Sequence, residues 1–209
     1  GTLTSKVHDY RTQLVRDVKF VVMDMTGGYR KLMHELFPQA KIIVDKYHYV
    51  RQISYAIERI RVEEQKRLSD KWRRYFKRSK YLLLKDTDKL TIEDRIQLDN
   101  IFRISEPLNK AYALKQQFEY VKASTSREEA AKRLSRWIMD AQRSGLKDMI
   151  KISLTYQNWS IEILNSFEYP YTNGYIEGCN NRIKVLKRVS FGMPRFVRFR
   201  RRIMHIMVD

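Results

Sequence analysis

The 209-residue chain has one cysteine, few glycines and prolines, and no long apolar run. A single thiol, that of Cys179, excludes an internal disulfide and a cysteine zinc cluster, and it suits a reducing cytoplasm. Seven glycines and four prolines favour long helices over a turn-rich β architecture. No stretch of about 18 apolar residues is present, so we expect no membrane span, and no signal peptide is visible. Because the chain starts at Gly1 without a methionine, we expect a piece of a longer, cytoplasmic protein.

The residues that are present predict a folded and strongly basic protein. Hydrophobic residues make up 43% of the chain and aromatic residues 12%, which is enough for the packed core of one or two domains. The formal net charge is +18. Such a charge attracts polyanions, and Lys and Arg contacts to phosphates release counterions, so nucleic acid is the favoured partner. The alternative is a solvated basic surface without a ligand.

The first third of the chain has the pattern of a βαβ unit. Apolar, β-branched runs at 19–23 and 41–44 predict two buried strands, and the segment 29–37 between them has helical spacing. Such a unit is normally parallel and right-handed. Asp24 and Asp45 each follow a strand, so we expect both carboxylates at one sheet edge, where open α/β sheets place their sites. Further helices are predicted at 4–16 and about 47–68.

The middle of the chain is predicted to be wholly helical. Between about 66 and 167 there is no strand pattern, no fixed repeat and no stretch rich in Gly, Ser or Pro, which favours an all-α insertion over a linker. Ser126, followed three residues later by Glu129, is a capping-box pattern that opens one helix. The predicted helices cover about 71–84, 91–104, 107–123, 126–144 and 146–167.

The C-terminal segment predicts one helix from Gly174 to about Val189 and a closing helix over about 195–207. The first helix has an apolar stripe made of Ile176, Cys179, Ile183 and Leu186. A different face combines a carboxylate, an amide and two cations at i, i+4, i+7 and i+11, namely Glu177, Asn181, Lys184 and Arg188. The closing helix carries Arg195, Arg198, Arg200, Arg201 and Arg202.

These motifs, taken in order, carry a family resemblance that extends over almost the whole chain. They are Val22-Met23-Asp24-Met25, then Ile43-Val44-Asp45-Lys46-Tyr47-His48, then Thr172-Asn173-Gly174-Tyr175-Ile176-Glu177-Gly178-Cys179-Asn180-Asn181-Arg182-Ile183-Lys184, then Lys187-Arg188 and Phe191-Gly192. In this arrangement the sequence resembles DDE transposases of the bacterial ISL3 insertion-sequence group, which are relatives of the Mutator-like transposases. The Asn-Gly-x-x-Glu-Gly-x-Asn-Asn-x-Ile-Lys string is the most specific part of the resemblance.

The resemblance implies an RNase H-like fold with three acidic metal ligands. Asp24 matches the second ligand, after the fourth strand, and Glu177 matches the third, on a late helix, while the first is expected upstream of residue 1. The first three strands of such a fold are missing, and neither Asp9, in a predicted helix, nor Asp17, before a strand, is a convincing substitute. We therefore expect a predominantly helical α/β chain, a truncated RNase H-like domain that is catalytically incomplete. Its expected parts are a partial core at 1–65, an all-α insertion at 66–167, and C-terminal helices at 168–209 that complete the core.

The implied activity of the full-length protein is metal-dependent cleavage and transfer of DNA strands at transposon ends. Two Mg²⁺ or Mn²⁺ ions would serve this phosphoryl transfer, and the hard oxygens of Asp24 and Glu177 suit them. Asp45 and His48 resemble a Cys/Asp-x-x-His feature of the superfamily and are accessory candidates. The expected DNA contacts are made by Asn181, Lys184, Lys187, Arg188, Arg195, Arg198 and Arg201, with Trp137, and also Trp72 and Tyr75, as candidates to stack on bases.

Each candidate also has an ordinary structural interpretation. A strand-end Asp can be a turn residue or a helix cap, His48 can be a hydrogen-bonded core histidine, and Glu177 can pair with nearby Lys184. Trp137 can be core, and the arginines can form a solvated face. For the whole chain, the alternatives are a helical DNA-binding or dimerisation module without chemistry and an RNase H-like nuclease that uses water as nucleophile. A sheet edge left open favours a homodimer or higher oligomer, and DNA binding favours a nucleoid-associated bacterial location.

Overall fold

Two short parallel strands and the helix between them form the N-terminal part of the fold. The computed structural model describes residues 18–190 and 195–207, so the helix predicted at 4–16, which includes Asp9, and Asp17 lie outside the described residues. Strand β1 (Phe20–Met23) is followed by helix α1 (Gly27–Leu36) and strand β2 (Lys41–Val44). The strands pair in parallel, with Phe20 opposite Lys41 and Met23 opposite Val44. The predicted parallel βαβ unit is therefore confirmed.

From Lys46 to Glu168 the chain is helical, as predicted. Two of the predicted helices are interrupted at positions that the sequence pattern did not indicate. The predicted helix at 71–84 is divided at Ser79, whose hydroxyl donates to the Phe76 carbonyl oxygen at 2.8 Å. The predicted helix at 146–167 is divided at Trp159, which is buried. The helices are α2 (Lys46–Lys66), α3 (Asp70–Arg78), α4 (Lys80–Leu84), α5 (Ile92–Ile104), α6 (Glu106–Lys122), α7 (Arg127–Arg143), α8 (Lys147–Asn158) and α9 (Ser160–Glu168), with a short 3₁₀ turn at Thr87–Lys89.

The core of this helical body is an aromatic cluster to which four helices contribute. Tyr49 of α2, Phe118 of α6, Trp137 of α7 and Tyr156 of α8 are each at most 1% exposed. Their rings lie in contact, with centroids 5.2 Å apart for Phe118 and Trp137 and 5.3 Å apart for Trp137 and Tyr156. Buried aromatic side chains of this size contribute most of the apolar area removed from water in a core. Burial also raises the pKa of Tyr49 to about 12.

Helix α9 joins the sheet to the helical body. The Asn165 side-chain amide donates to the Ile42 carbonyl oxygen at 2.7 Å, and its own oxygen accepts from Arg127 at 2.6 Å. On the other side, Arg30 of α1 forms a 2.7 Å ion pair with the buried carboxylate of Glu162. These polar contacts hold both β2 and α1 against the helices, because a buried polar group is stable only when it is paired.

The helix starts follow the capping signals only in part. The Ser126 hydroxyl accepts from the Glu129 amide at 3.2 Å, as predicted, but the Glu129 carboxylate accepts from the Thr125 amide instead of that of Ser126. A closed capping box forms at α5, where Thr91 and Asp94 exchange both bonds. In α5 the carboxylate of Asp94 accepts from the amide of the N-cap residue itself, whereas in α7 the carboxylate of Glu129 accepts from the amide one residue before the N-cap.

A second compact unit begins at Tyr171. It contains helix α10 (Gly174–Val189) and helix α11 (Phe196–Met207), which contact each other. Both agree with the helices predicted from the sequence. In the described ranges, no helix is both long and apolar enough to cross a bilayer. The predicted fold class, a predominantly helical α/β chain with a short parallel sheet, is confirmed.

Candidate functional site

The two strand-end aspartates lie side by side at one edge of the sheet. Asp24 follows β1 and Asp45 follows β2, directly beyond the paired residues Met23 and Val44. The Asp45 amide extends the ladder by donating to the Met23 carbonyl oxygen at 3.2 Å. The predicted placement of both residues at the carboxyl edge of the strands is therefore confirmed. This edge is where open α/β sheets place their binding sites.

His48 contacts the first of these aspartates directly. Its Nε2 lies 2.9 Å from Asp24 Oδ1, and it reaches this position from the first turn of α2. The Asp24 side chain is 50% exposed, so the pair leaves much of the carboxylate accessible to solvent. The sequence predicted His48 as an accessory residue but did not indicate this partner. The available signal was that β2 and α2 are joined by one residue, which brings the first turn of the helix to the edge where β1 ends.

Asp45 has a structural task that Asp24 does not share. Its side chain accepts from the Tyr47 amide at 2.9 Å and so caps the N-terminus of α2. Only 8% of the residue is exposed. Of the two interpretations left open by the sequence, the helix cap is the one that these contacts support.

Among the residues that the structure describes, the sheet edge offers one accessible carboxylate and no complete metal site. In the described part of the chain, no group of three or more His, Cys, Asp or Glu side chains is close enough together to hold a metal ion. Mg²⁺ in proteins is often bound through one or two carboxylates together with water and substrate oxygens. The Asp24 carboxylate has the right donor chemistry for such an ion, and further ligands would have to join it.

Helix α10 presents the predicted polar face to solvent. Glu177 lies in its first turn and is exposed, and Asn181, Lys184 and Arg188 follow it along the same face, also exposed. Lys187 is exposed as well. On the apolar stripe Leu186 is buried, the free cysteine Cys179 is half-buried, and Ile176 remains 57% exposed. The helix therefore has the two faces that its spacing predicted.

The unit that begins at Tyr171 is strongly cationic. From Tyr171 to Asp209 the sequence contains nine Lys or Arg residues and only two acids, Glu177 and Asp209, which gives a net charge of +7. Four of the five predicted arginines of the closing segment lie on α11 and Arg195 immediately precedes it, and all five are exposed. Those predicted as DNA contacts are Arg195, Arg198 and Arg201. A surface with this density of cations attracts phosphates at long range.

The base-stacking candidates Trp137 and Trp72 lie in different environments. Trp137 is fully buried, its indole N–H donates to the Leu114 carbonyl oxygen at 2.8 Å, and its ring packs on Tyr156. It is a core residue in this structure, since stacking on a base requires an exposed ring face. Trp72, another base-stacking candidate, is 38% exposed and packs edge-on against Tyr75.

Comparison with known proteins identifies transposases as relatives of this chain. Residues 2–203 match the ISL3 family of DDE proteins, whose description is "Transposase". The transposase for insertion sequence element IS1001 of Bordetella parapertussis is 29% identical over 178 residues, which is 84% of this chain and 44% of that protein. The transposase for insertion sequence element IS1557 of Mycobacterium tuberculosis is 29% identical over 119 residues, which is 57% of this chain and 27% of that protein. The chain thus spans less than half the length of these relatives.

A further relative has a different name. A Lactococcus lactis protein named "ATP-dependent protease" is 32% identical over 107 residues, which is 51% of this chain and 33% of that protein. The present sequence contains no G-x-x-x-x-G-K motif of the kind that binds nucleotide phosphates in P-loop proteins. No solved structure matches the chain.

Proposed function

Because this chain belongs to the ISL3 family of DDE transposases, we propose that it forms part of the catalytic domain of an insertion-sequence transposase. In the full-length protein this domain cuts and joins DNA strands at transposon ends by metal-dependent phosphoryl transfer. The observation that carries the proposal is the accessible Asp24 carboxylate, held by His48 at the carboxyl edge of a parallel sheet.

The proposed metal ligands are Asp24 and Glu177. Both are accessible carboxylates within a family motif, Asp24 directly after a strand and Glu177 in the first turn of a helix. When bound, two Mg²⁺ or Mn²⁺ ions supply activation of the attacking oxygen and stabilisation of the leaving oxygen. The described residues contain no group of three ligands. The third acidic ligand of the proposed set is the one that the family resemblance places upstream of residue 1.

The proposed task of His48 is to orient Asp24. The close contact of His48 with one carboxylate oxygen restricts the rotation of the carboxylate and so fixes the direction in which its other lone pairs point. Groups that orient metal ligands in this way commonly change metal affinity or activity by about 10- to 100-fold when they are removed. His48 is thus a positioning residue in this proposal.

The proposed DNA contacts lie on α10 and α11. The exposed side chains of Lys184, Lys187 and Arg188 follow Glu177 along α10, so they are suited to hold phosphates near the reacting strand. Asn181 lies one turn after Glu177 and adds an amide to this face. Arg195, Arg198 and Arg201 extend the cationic surface along the closing segment.

The proposed domain plan follows the positions of the motifs. Residues 1–65 and 168–209 belong to one RNase H-like core, and the helices at 66–167 are an insertion between the second and third acidic ligands. The parallel βαβ unit and the unbroken series of helices after it support this plan.

The decisive experiment uses the full-length transposase with a DNA substrate that carries the element's end. Asp24→Asn and Glu177→Gln should each abolish strand cleavage with Mg²⁺ or Mn²⁺ while affinity for the end DNA stays within about twofold, because the charge of the cationic surface is unchanged or slightly raised. Glu35→Gln, on the exposed part of α1, is the matched control and should cleave normally. Normal cleavage by Glu177→Gln would overturn the assignment of this ligand.

A second candidate function is a DNA-binding module without chemistry of its own. It is favoured by the lack of a three-ligand group within the described ranges and by the net charge of +18. Under this alternative the full-length protein would bind end DNA and the Asp24→Asn variant would be indistinguishable from the wild type. Strand joining, in addition to cutting, separates a transposase from a nuclease that uses water.

A further inference from the structure

Helix α3 (Asp70–Arg78) carries a second set of cations, which no motif of the family string includes. At 3.6 residues per turn its cationic positions fall within an arc of about 160°. Its three aromatic residues fall within a separate arc of about 100°. The five cations, here called the α3 cation face, are all exposed: Lys71, Arg73, Arg74, Lys77 and Arg78.

The aromatic side of α3 is already occupied by the fold. Phe76 is fully buried, and its carbonyl oxygen accepts from Arg61 of α2 at 2.9 Å. The Tyr75 hydroxyl donates to the Gln97 carbonyl oxygen of α5 at 3.3 Å. The helix is thus fixed from two sides. Of its three aromatic residues only Trp72 is exposed, which is a smaller apolar surface than the apolar face of a membrane-binding amphipathic helix.

The α3 cation face also lacks the carboxylate partners that some cations elsewhere in the helical body have. Lys66 pairs with Glu63, Lys89 with Asp86 and Lys110 with Glu106, each on its own or an adjoining turn. By contrast, within residues 18–190 and 195–207 none of the five cations of the α3 cation face forms a salt bridge, and Asp70 is the helix's single acid. The nine residues of α3 therefore carry a net charge of +4, and within the described part of the chain no carboxylate forms a salt bridge with these cations.

We propose that the α3 cation face binds the phosphate backbone of duplex DNA. From Lys71 to Arg78 the helix rises about 10 Å, which corresponds to roughly three phosphate steps of 3.4 Å along one strand. Since Trp72 and Tyr75 pack on each other and Phe76 is buried, the face offers charge and little aromatic surface for stacking, so a duplex fits it better than a single strand. The inference rests on the proposed function only in taking DNA as the polyanion, and it makes the helical insertion a second DNA-contacting element.

The test compares two variants of the full 209-residue chain that lose the same charge. Arg73→Gln/Arg74→Gln/Lys77→Gln removes three cations of the face and keeps good helix formers. Lys66→Gln/Lys89→Gln/Lys110→Gln removes three exposed cations that are paired within the protein. The affinity of each for a random-sequence 30-base-pair duplex, and for the matching single strand, is measured between about 50 and 200 mM salt, with circular dichroism as the control for folding.

The α3 variant should bind the duplex at least ~10-fold more weakly than the wild type near physiological salt, and its log–log salt slope should fall by about 2–3, since each lost phosphate contact removes about 0.9. The control variant should keep both quantities near wild type. Equal losses in the two variants would show that only net charge matters and would overturn the proposal. A loss confined to the single strand would overturn its assignment to duplex DNA. Absence of DNA binding by the wild-type chain would contradict the proposed function as well as this inference. Normal duplex affinity of the variant that lacks three α3 cations would contradict this inference alone.

Discussion

His48 Nε2 lies 2.9 Å from Asp24 Oδ1, although the two residues belong to different secondary-structure elements 24 positions apart in the sequence. The contact crosses the edge at which both strands of the sheet end. It gives one of the two proposed metal ligands a fixed neighbour before any metal arrives. Because both side chains are partly exposed, we expect the contact to orient the Asp24 carboxylate more than to stabilise the fold.

Removing this neighbour should therefore separate metal binding from folding. In the full-length protein, His48→Ala should weaken Mn²⁺ binding and strand cleavage by about 10-fold or more. The unfolding free energy should change by less than about 1 kcal/mol, as expected for a contact between two partly exposed polar side chains. Calorimetric titration with Mn²⁺ and urea unfolding measure the two effects. His34→Ala, at an exposed position of α1, is the control, and an equal loss there would refute the role given to His48.

Asp45 should behave as a helix cap. Asp45→Ala removes the acceptor for the Tyr47 amide and should cost about 1 kcal/mol of stability in urea unfolding. Asp45→Asn keeps a good capping side chain and should recover most of that loss. If Asp45→Asn instead kept its stability and lost cleavage in the full-length protein, Asp45 would have a direct role in the chemistry.

Trp137 should matter for stability and leave DNA affinity unchanged. Trp137→Ala opens a large cavity between α6, α7 and α8 and should cost about 3–5 kcal/mol. Trp137→Phe keeps most of the ring volume but leaves the Leu114 carbonyl oxygen without its donor, so a loss of about 1–3 kcal/mol is expected. Urea unfolding gives these values, and fluorescence anisotropy of labelled DNA gives the affinity. Weaker DNA binding by a folded Trp137→Phe protein would restore the base-stacking hypothesis.

Tyr49 should make the protein sensitive to alkaline pH. Its pKa in the folded protein is raised from 10.0 to about 12 by burial, so the unfolded chain loses the proton first as pH rises. The contribution of this group to stability is complete below pH 10 and is lost between pH 10 and about 12, at about 1.4 kcal/mol per pH unit. Tyr49→Phe should make this decline shallower by that amount in urea unfolding at stepped pH. An unchanged slope would mean that Tyr49 titrates normally in the folded protein.

Local signals account for the parts of the fold that the sequence predicted well. The strands at Phe20–Met23 and Lys41–Val44 are short apolar runs with clear ends, and α10 has a strict helical period, so neighbouring residues suffice to place them. The breaks at Ser79 and Trp159 carry neither Gly nor Pro. Each break lies at or near a buried aromatic residue, Phe76 or Trp159. The direction in which the chain must turn to bury such a residue depends on the rest of the core, so neighbouring residues do not indicate the break.

The candidate site, like the fold, was predictable from the sequence only in part. That Asp24 and Asp45 share an edge follows from the order of strand, helix and strand. Which of them caps a helix and which meets His48 depends on a few ångströms of side-chain placement, and both residues precede a helix in the sequence. Trp137 was uncertain for a similar reason, because a Trp on an amphipathic helix can face either solvent or core, and neighbouring α6 and α8 decide between them.

The residue next to His48 in the sequence ties the sheet edge to the middle of the helical body. The Tyr49 ring lies in the aromatic cluster, its hydroxyl shares a hydrogen bond with Ser166, and its carbonyl oxygen accepts from the hydroxyl of Tyr156. A tilt of the first turn of α2 would therefore disturb the side chains of Tyr156 and Ser166, which lie more than a hundred residues later in the sequence. A substitution at Tyr156 would alter the position of Asp24 through this backbone, so suppressors of a damaged His48 contact should be sought around Tyr156 as well as at the sheet.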